Sequence, residues 1–402
     1  MNVPLKPDHL SKYRNLTRST EVEAINLHPI QSGGRAGNYP EVVKAVLNFI
    51  DGYSTCDYCI KGRLDEIESP PLRDFHADLA EFIEMDEVRL LPGCRQAQFA
   101  AFHSLASPGD YIIIDSLAHY STYLAAERVG LKVVEVPNSG FPYFEVSPEF
   151  YAEKIEEVKR TMGKPPALVF LTHVDYSYGN LADAEAVAKI SHEYDVPFVL
   201  NCAYTIGRMP VSGRKLGADV VTASLHKSFA SPAPSGILAA NEEYAEQIFR
   251  RSMIRGEWSG REFPNKEVEL LGCTLPGCVV VGVMAAFPYV VERVERWSEE
   301  VEKARYFSSQ LTRIEGVIQL GQNPHNHDLL HFESQSFFNV AQNHPRKGFF
   351  LYDELKARGV VGVQPGLSKS WKLSTYGQSW ENVKVAAQAF LEIAEKYGIP
   401  VS

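Results

Sequence analysis

Apolar positions in this chain follow two alternating rhythms. Short runs rich in Val, Ile and Leu, at Tyr111 to Asp115, Lys132 to Val136, Ala167 to Thr172 and Pro197 to Leu200, have the length of buried strands. Between them lie segments with helical spacing: Ser121 to Val129, Glu149 to Met162 and Ala184 to Tyr194, the last with Asp183 placed to cap it. This alternation predicts βα units and a mostly parallel sheet, with ligands at the carboxyl ends of the strands. Upstream, Pro40 to Ile50, Asp74 to Ile83 and Gln96 to Ala106 read as helices, and Glu87 to Leu91 as a strand. Asn26 to Arg35 reads as an ordered arm, because Pro29 and the paired Gly33 and Gly34 interrupt any period. Downstream, Glu242 to Ile254 reads as a helix, and the apolar run Val279 to Val290 as another that continues to about Ile314. The last part mixes strands and helices and closes on a helix from Trp380 to Tyr397. The pattern divides the chain into an arm and helix (1–50), a large domain (51–290) and a small α+β domain (291–402).

Composition narrows the function classes. With 402 residues, 45% hydrophobic and 11% aromatic, the chain has material for a substantial core. No apolar run is expected to reach the length of a membrane span, and the first residues lack a signal-peptide core. A cytoplasmic protein with no membrane partner is the expectation. A net charge of −10 disfavours bulk attraction to nucleic acid, so an RNA partner would need a local basic patch. The six cysteines, Cys56, Cys59, Cys94, Cys202, Cys273 and Cys278, are too few for a disulfide framework. Cys56 and Cys59 form a C-x-x-C pair, which suits a redox pair, a zinc half-site or a sulfur carrier.

Candidate chemistry gathers at strand ends. Asp219 to Ala223 and Ile237 to Ala240 read as strands, and Ser224-Leu225-His226-Lys227 lies on their connection. A lysine held there, between Ser and His, is what a Schiff-base lysine for pyridoxal phosphate requires. Its amine bonds the aldehyde, and the hydroxyl and imidazole can donate to the phosphate. Taken alone, the stretch suits a solvated surface lysine better. Gly93-Cys94-Arg95-Gln96 follows a strand and opens a helix, offering backbone N–H groups and the Arg95 charge to a phosphate. His119-Tyr120 offers a ring to stack on a flat cofactor. His173-Val174-Asp175 with Gly179-Asn180, and Asn201-Cys202-Ala203-Tyr204, close the next two strands. Each motif alone fits an ordinary turn; their order along the chain does not.

That order resembles the fold-type I pyridoxal phosphate enzymes of the cysteine desulfurase branch. The resemblance implies an aspartate aminotransferase-like α/β fold with a smaller C-terminal α+β domain. It implies that Lys227 carries the cofactor, Ser224 and His226 support its phosphate, and His119 stacks on its ring. Asp175 and Tyr204 would face the ring oxygen and Asn201 the ring nitrogen, with Asn180 nearby. Desulfurases have Asn, Asp and Gln at the positions of Asp175, Asn201 and Tyr204. They also need a mobile late cysteine, and none lies beyond Cys278 here.

Those departures resemble the archaeal Sep-tRNA:Cys-tRNA synthase family. The matching motifs are N-L-x-P-x-Q-x-G-G (Asn26 to Gly34), C-x-x-C (Cys56, Cys59), G-C-R-x-A (Gly93 to Ala97) and A-H-Y (Ala118 to Tyr120). T-H-V-D with Y-G-N (Thr172 to Asn180), N-x-A-Y-x-x-G-R-M-P (Asn201 to Pro210), G-C-T-L (Gly272 to Leu275) and S/N-T-Y-G (Ser374 to Gly377) follow. The resemblance implies conversion of phosphoserine on cysteine tRNA into cysteine, by loss of phosphate and addition of sulfur. Lys227 would be the base, with Arg95, His119 and Tyr120 on the substrate phosphate. Cys56, Cys59 and Cys273 would deliver sulfur, as a persulfide or through an iron–sulfur cluster held by three thiolates. Lys372 stands where related enzymes place an Arg for a free carboxylate, which a tRNA ester lacks. A homodimer, and a partnership with the phosphoseryl-tRNA synthetase, are further implications. Arg35, Arg250, Arg251 and Arg255 suit either tRNA contacts or a solvated surface. A cysteine desulfurase or selenocysteine lyase using an early cysteine is the alternative reading.

Overall fold

The computed structural model describes residues 24–30, 35–51, 69–271 and 275–402, with Tyr13 and Ile67. Cys56, Cys59 and Cys273, the predicted sulfur carriers, lie outside the described residues, as do positions 31–34 of the predicted arm. In chain order the large part contains β1 (Ile25–Asn26), α1 (Pro40–Asn48), α2 (Leu72–Phe82), β2 (Glu87–Leu91), α3 (Cys94–Leu105), β3 (Tyr111–Asp115) and α4 (Tyr120–Val129). It continues with β4 (Lys132–Val136), α5 (Glu149–Met162), β5 (Leu168–Thr172), α6 (Ala184–Glu193), β6 (Phe198–Asn201), β7 (Val220–Ser224), β8 (Gly236–Ala240), α7 (Glu242–Ile248) and α8 (Gly277–Val294).

Seven strands form one sheet in the order β2-β8-β7-β6-β5-β3-β4. All pairs are parallel except those of β8, which runs antiparallel to both neighbours. Strands β5 to β8 are buried at every position, which requires cover on both faces. The pleat supplies it. Ile113, Val169, Leu200 and Val221 join one core with α2, α5, α6 and α8, while Ile112, Phe170, Val199 and Val220 join another with α3, α4 and α7. The connection from β7 to β8 is too short for a parallel crossover, so β8 returns as a hairpin partner. Because β2 is antiparallel to β8, its carboxyl end lies at the same sheet edge as those of β5, β6 and β7.

The remaining elements are α9 (Trp297–Leu311), β9 (Val317–Leu320), β10 (Leu329–Ser334), α10 (Gln335–Asn343), α11 (Phe349–Ala357), β11 (Val360–Val361), β12 (Ser370–Ser374) and α12 (Trp380–Lys396). Strands β12, β10 and β9 form an antiparallel sheet beneath helices, around a core that includes Phe307, Phe332, Trp371 and Phe390. Leu27 joins this core and β1 pairs with β11, whereas Val42 and Val294 belong to the first. The arm is thus stitched to the far end of the chain.

Two expectations change. The helix from Glu242 ends at Ile248, and bridges Arg251–Glu267 and Arg255–Glu262 replace it. Ser252 and Gly256 are weak helix formers, and Met253 and Ile254 are exposed, so no buried stripe sustains the helix. The run from Val279 to Ile314 splits into α8 and α9, as the chain passes from one core to the other. Contrary to the sequence expectation, Gly277–Val294 is long and apolar enough to span a membrane by length and composition. Half of that stretch is buried, with Val280, Val283 and Val290 in the large core. Gly282 lets Pro232 and Val46 approach the helix.

Candidate active site

A cavity of ≈ 510 Å³ opens where the carboxyl ends of β2, β5, β6 and β7 face the second core. Gly93, Cys94, Arg95, Gln96, His119, Asn201, Tyr204, Ser224, His226 and Lys227 all line it, bringing together most of the residues predicted from sequence. His28, Tyr176, Gln364, His331 and Lys372 line the opposite side.

Lys227 ends a short 3₁₀ turn, Leu225–Lys227, immediately after β7. Its Nζ lies 3.6 Å from the centre of the Tyr204 ring. Burial lowers its pKa to about 7, and the positive charges of Arg208, Arg95 and Lys372 push in the same direction. An amine poised there is available as a nucleophile or base near neutral pH. Tyr204 itself is buried and its phenol is pushed up to about 12, so its ring is a neutral platform.

The helix α3 begins at Gly93, directly beside β8. A Cβ on Gly236 would come within 2.5 Å of the Cys94 backbone nitrogen, so only glycine admits the helix start here. The backbone N–H groups of Gln96 and Ala97 bond back to Gly93, leaving those of Cys94 and Arg95 without an acceptor among the described residues. With Ser224 and His226 alongside, these donors form a cradle for an anion. The His226 Nδ1 sits 3.1 Å from the Ser235 carbonyl, which fixes its ring.

His119 caps α4, its Nδ1 accepting from the Ser121 N–H at 3.2 Å. Ser121 in turn donates to Gln98. Burial, then the charges of Lys227, Arg95 and Lys372, hold the His119 pKa at about 4, so the ring is neutral and flat. Tyr120 packs on it at 4.1 Å and meets the Arg95 guanidinium at 5.8 Å, but lies outside the cavity lining and is half exposed. The Asn201 side-chain oxygen accepts from the Ala203 N–H and faces the Cys94 thiol at 3.6 Å. Burial raises the pKa of both Cys94 and Cys202, which makes them packing thiols.

Asp175 and Asn180, expected beside the cofactor ring, lie elsewhere. Both line a neighbouring cavity with Asp115, Glu145 and Asp183. The Asp175 carboxylate accepts the N–H groups of Ser177, Tyr178 and Asn180, so it is consumed in closing the turn at Gly179. Asn180 donates to the carbonyls of Tyr143 and Phe144. The predicted tRNA contacts Arg250 and Arg255 pair with Glu269 and Glu262 on the segment after α7.

Sequence reasoning missed most of the opposite wall. His331 and Lys372 are directly paired across β10 and β12, and so project from the same face. The His331 Nδ1 must donate to the Ser177 carbonyl at 2.7 Å, which leaves its Nε2 to accept from Ser370 at 2.6 Å. Lys372 donates to the Tyr176 carbonyl at 3.1 Å and sits 4.4 Å from the Tyr176 ring. The terminal motif marked Lys372, whereas His331 carried no signal beyond the alternation around its strand.

A reactive amine, a flat neutral ring, an amide and an anion cradle around one cavity fit a phosphorylated aromatic aldehyde. The relatives decide the family. A synthase named O-phospho-L-seryl-tRNA:Cys-tRNA synthase from Methanopyrus kandleri is 53% identical over 98% of this chain and all of its own length. The chain belongs to the O-phospho-L-seryl-tRNA:Cys-tRNA synthase family. A second synthase of this family, from Methanocaldococcus jannaschii, is 47% identical over 96% of this chain and 99% of its own. The family described as O-phosphoseryl-tRNA(Sec) selenium transferase matches residues 98–400. A solved complex of SepCysS with the SepCysE N-terminal domain contains a chain 46% identical to this one, with a TM-score of 0.88 over 96% of this chain and 99% of that chain. Cysteine desulfurase from Thermococcus onnurineus shares the fold at a TM-score of 0.70 and 18% identity, covering 98% of this chain and all of that one. The synthase is therefore a fold-type I α/β protein.

Proposed function

We propose that this synthase converts O-phosphoseryl-tRNA(Cys) into cysteinyl-tRNA(Cys) with pyridoxal phosphate, by phosphate loss and sulfur addition. The observation that carries this reading is the near-complete match to synthases of that name, with Lys227 in the cavity. Pyridoxal phosphate, when bound, supplies the electron sink that makes an amino acid's α-proton removable and its β-substituent a leaving group. Lys227 holds it, and the α3 start, Ser224 and His226 take its phosphate. The Nζ of Lys227, once free, takes the α-proton of the phosphoseryl group at near-neutral pH. Arg95, beside Tyr120 at the rim, neutralises the substrate phosphate. His119, neutral and lining the cavity, would stack on the cofactor's ring.

Asn201 cannot donate charge as an aspartate would, which limits how deep the electron sink becomes. Cys56, Cys59 and Cys273 are proposed to bring sulfur, as a persulfide or through an iron–sulfur cluster. Their motifs support this, and the iron and acid-labile sulfide content of anaerobically purified protein tests it. A cytoplasmic homodimer belongs to the same proposal, supported by the family resemblance and the apolar length of α8. For a partner, the solved relative points to a SepCysE-type protein in place of the synthetase expected from sequence. Nothing beyond the shared fold favours a desulfurase.

The test is anaerobic incubation with pyridoxal phosphate, sulfide and phosphoseryl-tRNA. Cysteinyl-tRNA should form; its absence, with alanine released from free cysteine, would replace this reading with the desulfurase one.

A further inference from the structure

Arg208 is not part of the cavity lining, yet it is fully buried at 0% exposure. It follows Gly207, whose φ of +77° and contact with Phe229 and Ser228 leave no room for a side chain. From this turn the guanidinium reaches three separate parts of the chain. One nitrogen donates to Asp328, just before β10, at 2.5 Å. The other donates to the Pro29 carbonyl of the N-terminal arm at 2.8 Å and to the Lys227 carbonyl at 3.1 Å. Its plane packs on Tyr376 at 4.4 Å and near Tyr204 at 5.3 Å. Asp328 also accepts from Ser374 at the end of β12. Pro29 and its neighbours His28 and Ile30 line the cavity. A buried ion pair is seldom a net source of stability, so its presence asks for another reason.

We propose that Arg208 is the positioning residue of Lys227: it ties the lysine's backbone to the arm and to the second core, so the reactive amine and both closing walls move as one unit. The inference rests on Lys227 being the reactive lysine. A planar fork suits this task because it spans two carbonyls and a carboxylate at fixed angles, which an ammonium cannot. Arg208 also adds to the positive field that lowers the Lys227 amine.

Arg208→Lys separates the two contributions, since it keeps the charge and loses the fork. Arg208→Met removes both, but leaves Asp328 buried and unpaired. The double variant Arg208→Met with Asp328→Asn removes that liability and keeps the question answerable if the single variant fails to fold. Two readouts besides turnover apply to the full-length chain. The first is the pH midpoint for acylation of Lys227 in cofactor-free protein, by peptide mass spectrometry, with exposed Lys384 as reference. The second is the pH at which the yellow absorbance of the cofactor-loaded protein titrates.

Removing the Arg208 charge should move both midpoints upward by about half a pH unit or more. Arg208→Lys should keep the wild-type midpoints while kcat falls about 100-fold and KM changes little, as expected for misplacement of a reacting group. Amide hydrogen exchange at residues 25–30 should quicken in all three variants. Wild-type midpoints in the folded double variant, or wild-type kcat in Arg208→Lys, would overturn the proposal. A wild-type protein without synthase activity would defeat the functional reading instead, and leave the labelling result standing.

Discussion

The two walls of the cavity are built by different means. The first consists of strand ends on one sheet: Gly93 to Gln96 after β2, Asn201 closing β6, and Ser224 to Lys227 at the end of β7. Its geometry follows from a sheet whose strands β5 to β8 are buried throughout, and its chemistry suits capture of an anionic cofactor. The second is assembled from the arm, the Gly179 turn, and the β10–β12 pair: His28, Tyr176, His331 and Lys372. His331 and Lys372 there are tied to the carbonyls of Ser177 and Tyr176, which suits a wall that closes over a substrate. The proposed cofactor site thus lies on the large part, while the second wall draws on the arm, a turn of the large part and the second core.

This division can be broken by experiment. The largest effect is expected from Lys227→Ala, which should abolish the yellow absorbance and lower the single-turnover rate by at least about 1,000-fold. Retained absorbance would mean that the first wall is misassigned. Next, Gly236→Ala places a Cβ against Cys94 and Ala223 and pushes the cradle apart. Cofactor affinity, measured by titration of the stripped protein, should weaken about 10- to 100-fold. An unchanged affinity would remove the α3 start from the phosphate site.

Lys372→Met should leave cofactor absorbance intact and raise KM for phosphoseryl-tRNA about tenfold. Loss of cofactor instead would merge the two walls into one function. The smallest effect concerns His76, whose Nε2 accepts the Leu90 N–H and steadies β2 below the cradle. Burial, then the Arg89 charge, lowers its pKa from 6.5 to about 3. The unfolded chain therefore takes up a proton near 6.5 that the folded chain refuses. The stability this group contributes is whole above 6.5 and is lost as pH falls toward 3. His76→Gln keeps an acceptor without that proton uptake, so its melting temperature should change less with pH across this window. A parallel pH dependence in wild type and variant would contradict it.

Much of the first wall was legible in the chain because local rules and the global fold agree there. Val, Ile and Leu runs mark the buried strands, and polar residues mark where each one stops. The second wall was opaque for a physical reason. His331 and Lys372 meet only through the antiparallel register of β10 on β12, and register between distant strands leaves no short-range signature. Asp175 shows the converse error. Its motif pointed to the cofactor, but a carboxylate two residues before a tight turn has three N–H groups within reach, and these claim it first. Arg208 was visible only as one letter of a longer motif, since its partners Pro29, Lys227 and Asp328 are scattered along the chain.

One contact has a consequence for how the molecule forms. At Gly179, with φ of +75°, the chain passes so close to the Leu329 carbonyl that any side chain would collide. The turn held by Asp175 must be in its final shape before β10 can seat against it. That contact joins residues far apart in sequence, as does the β2–β8 pairing that sets the anion cradle. The cradle and the turn are thus comparable long-range closures, and the cavity exists only once both have been made.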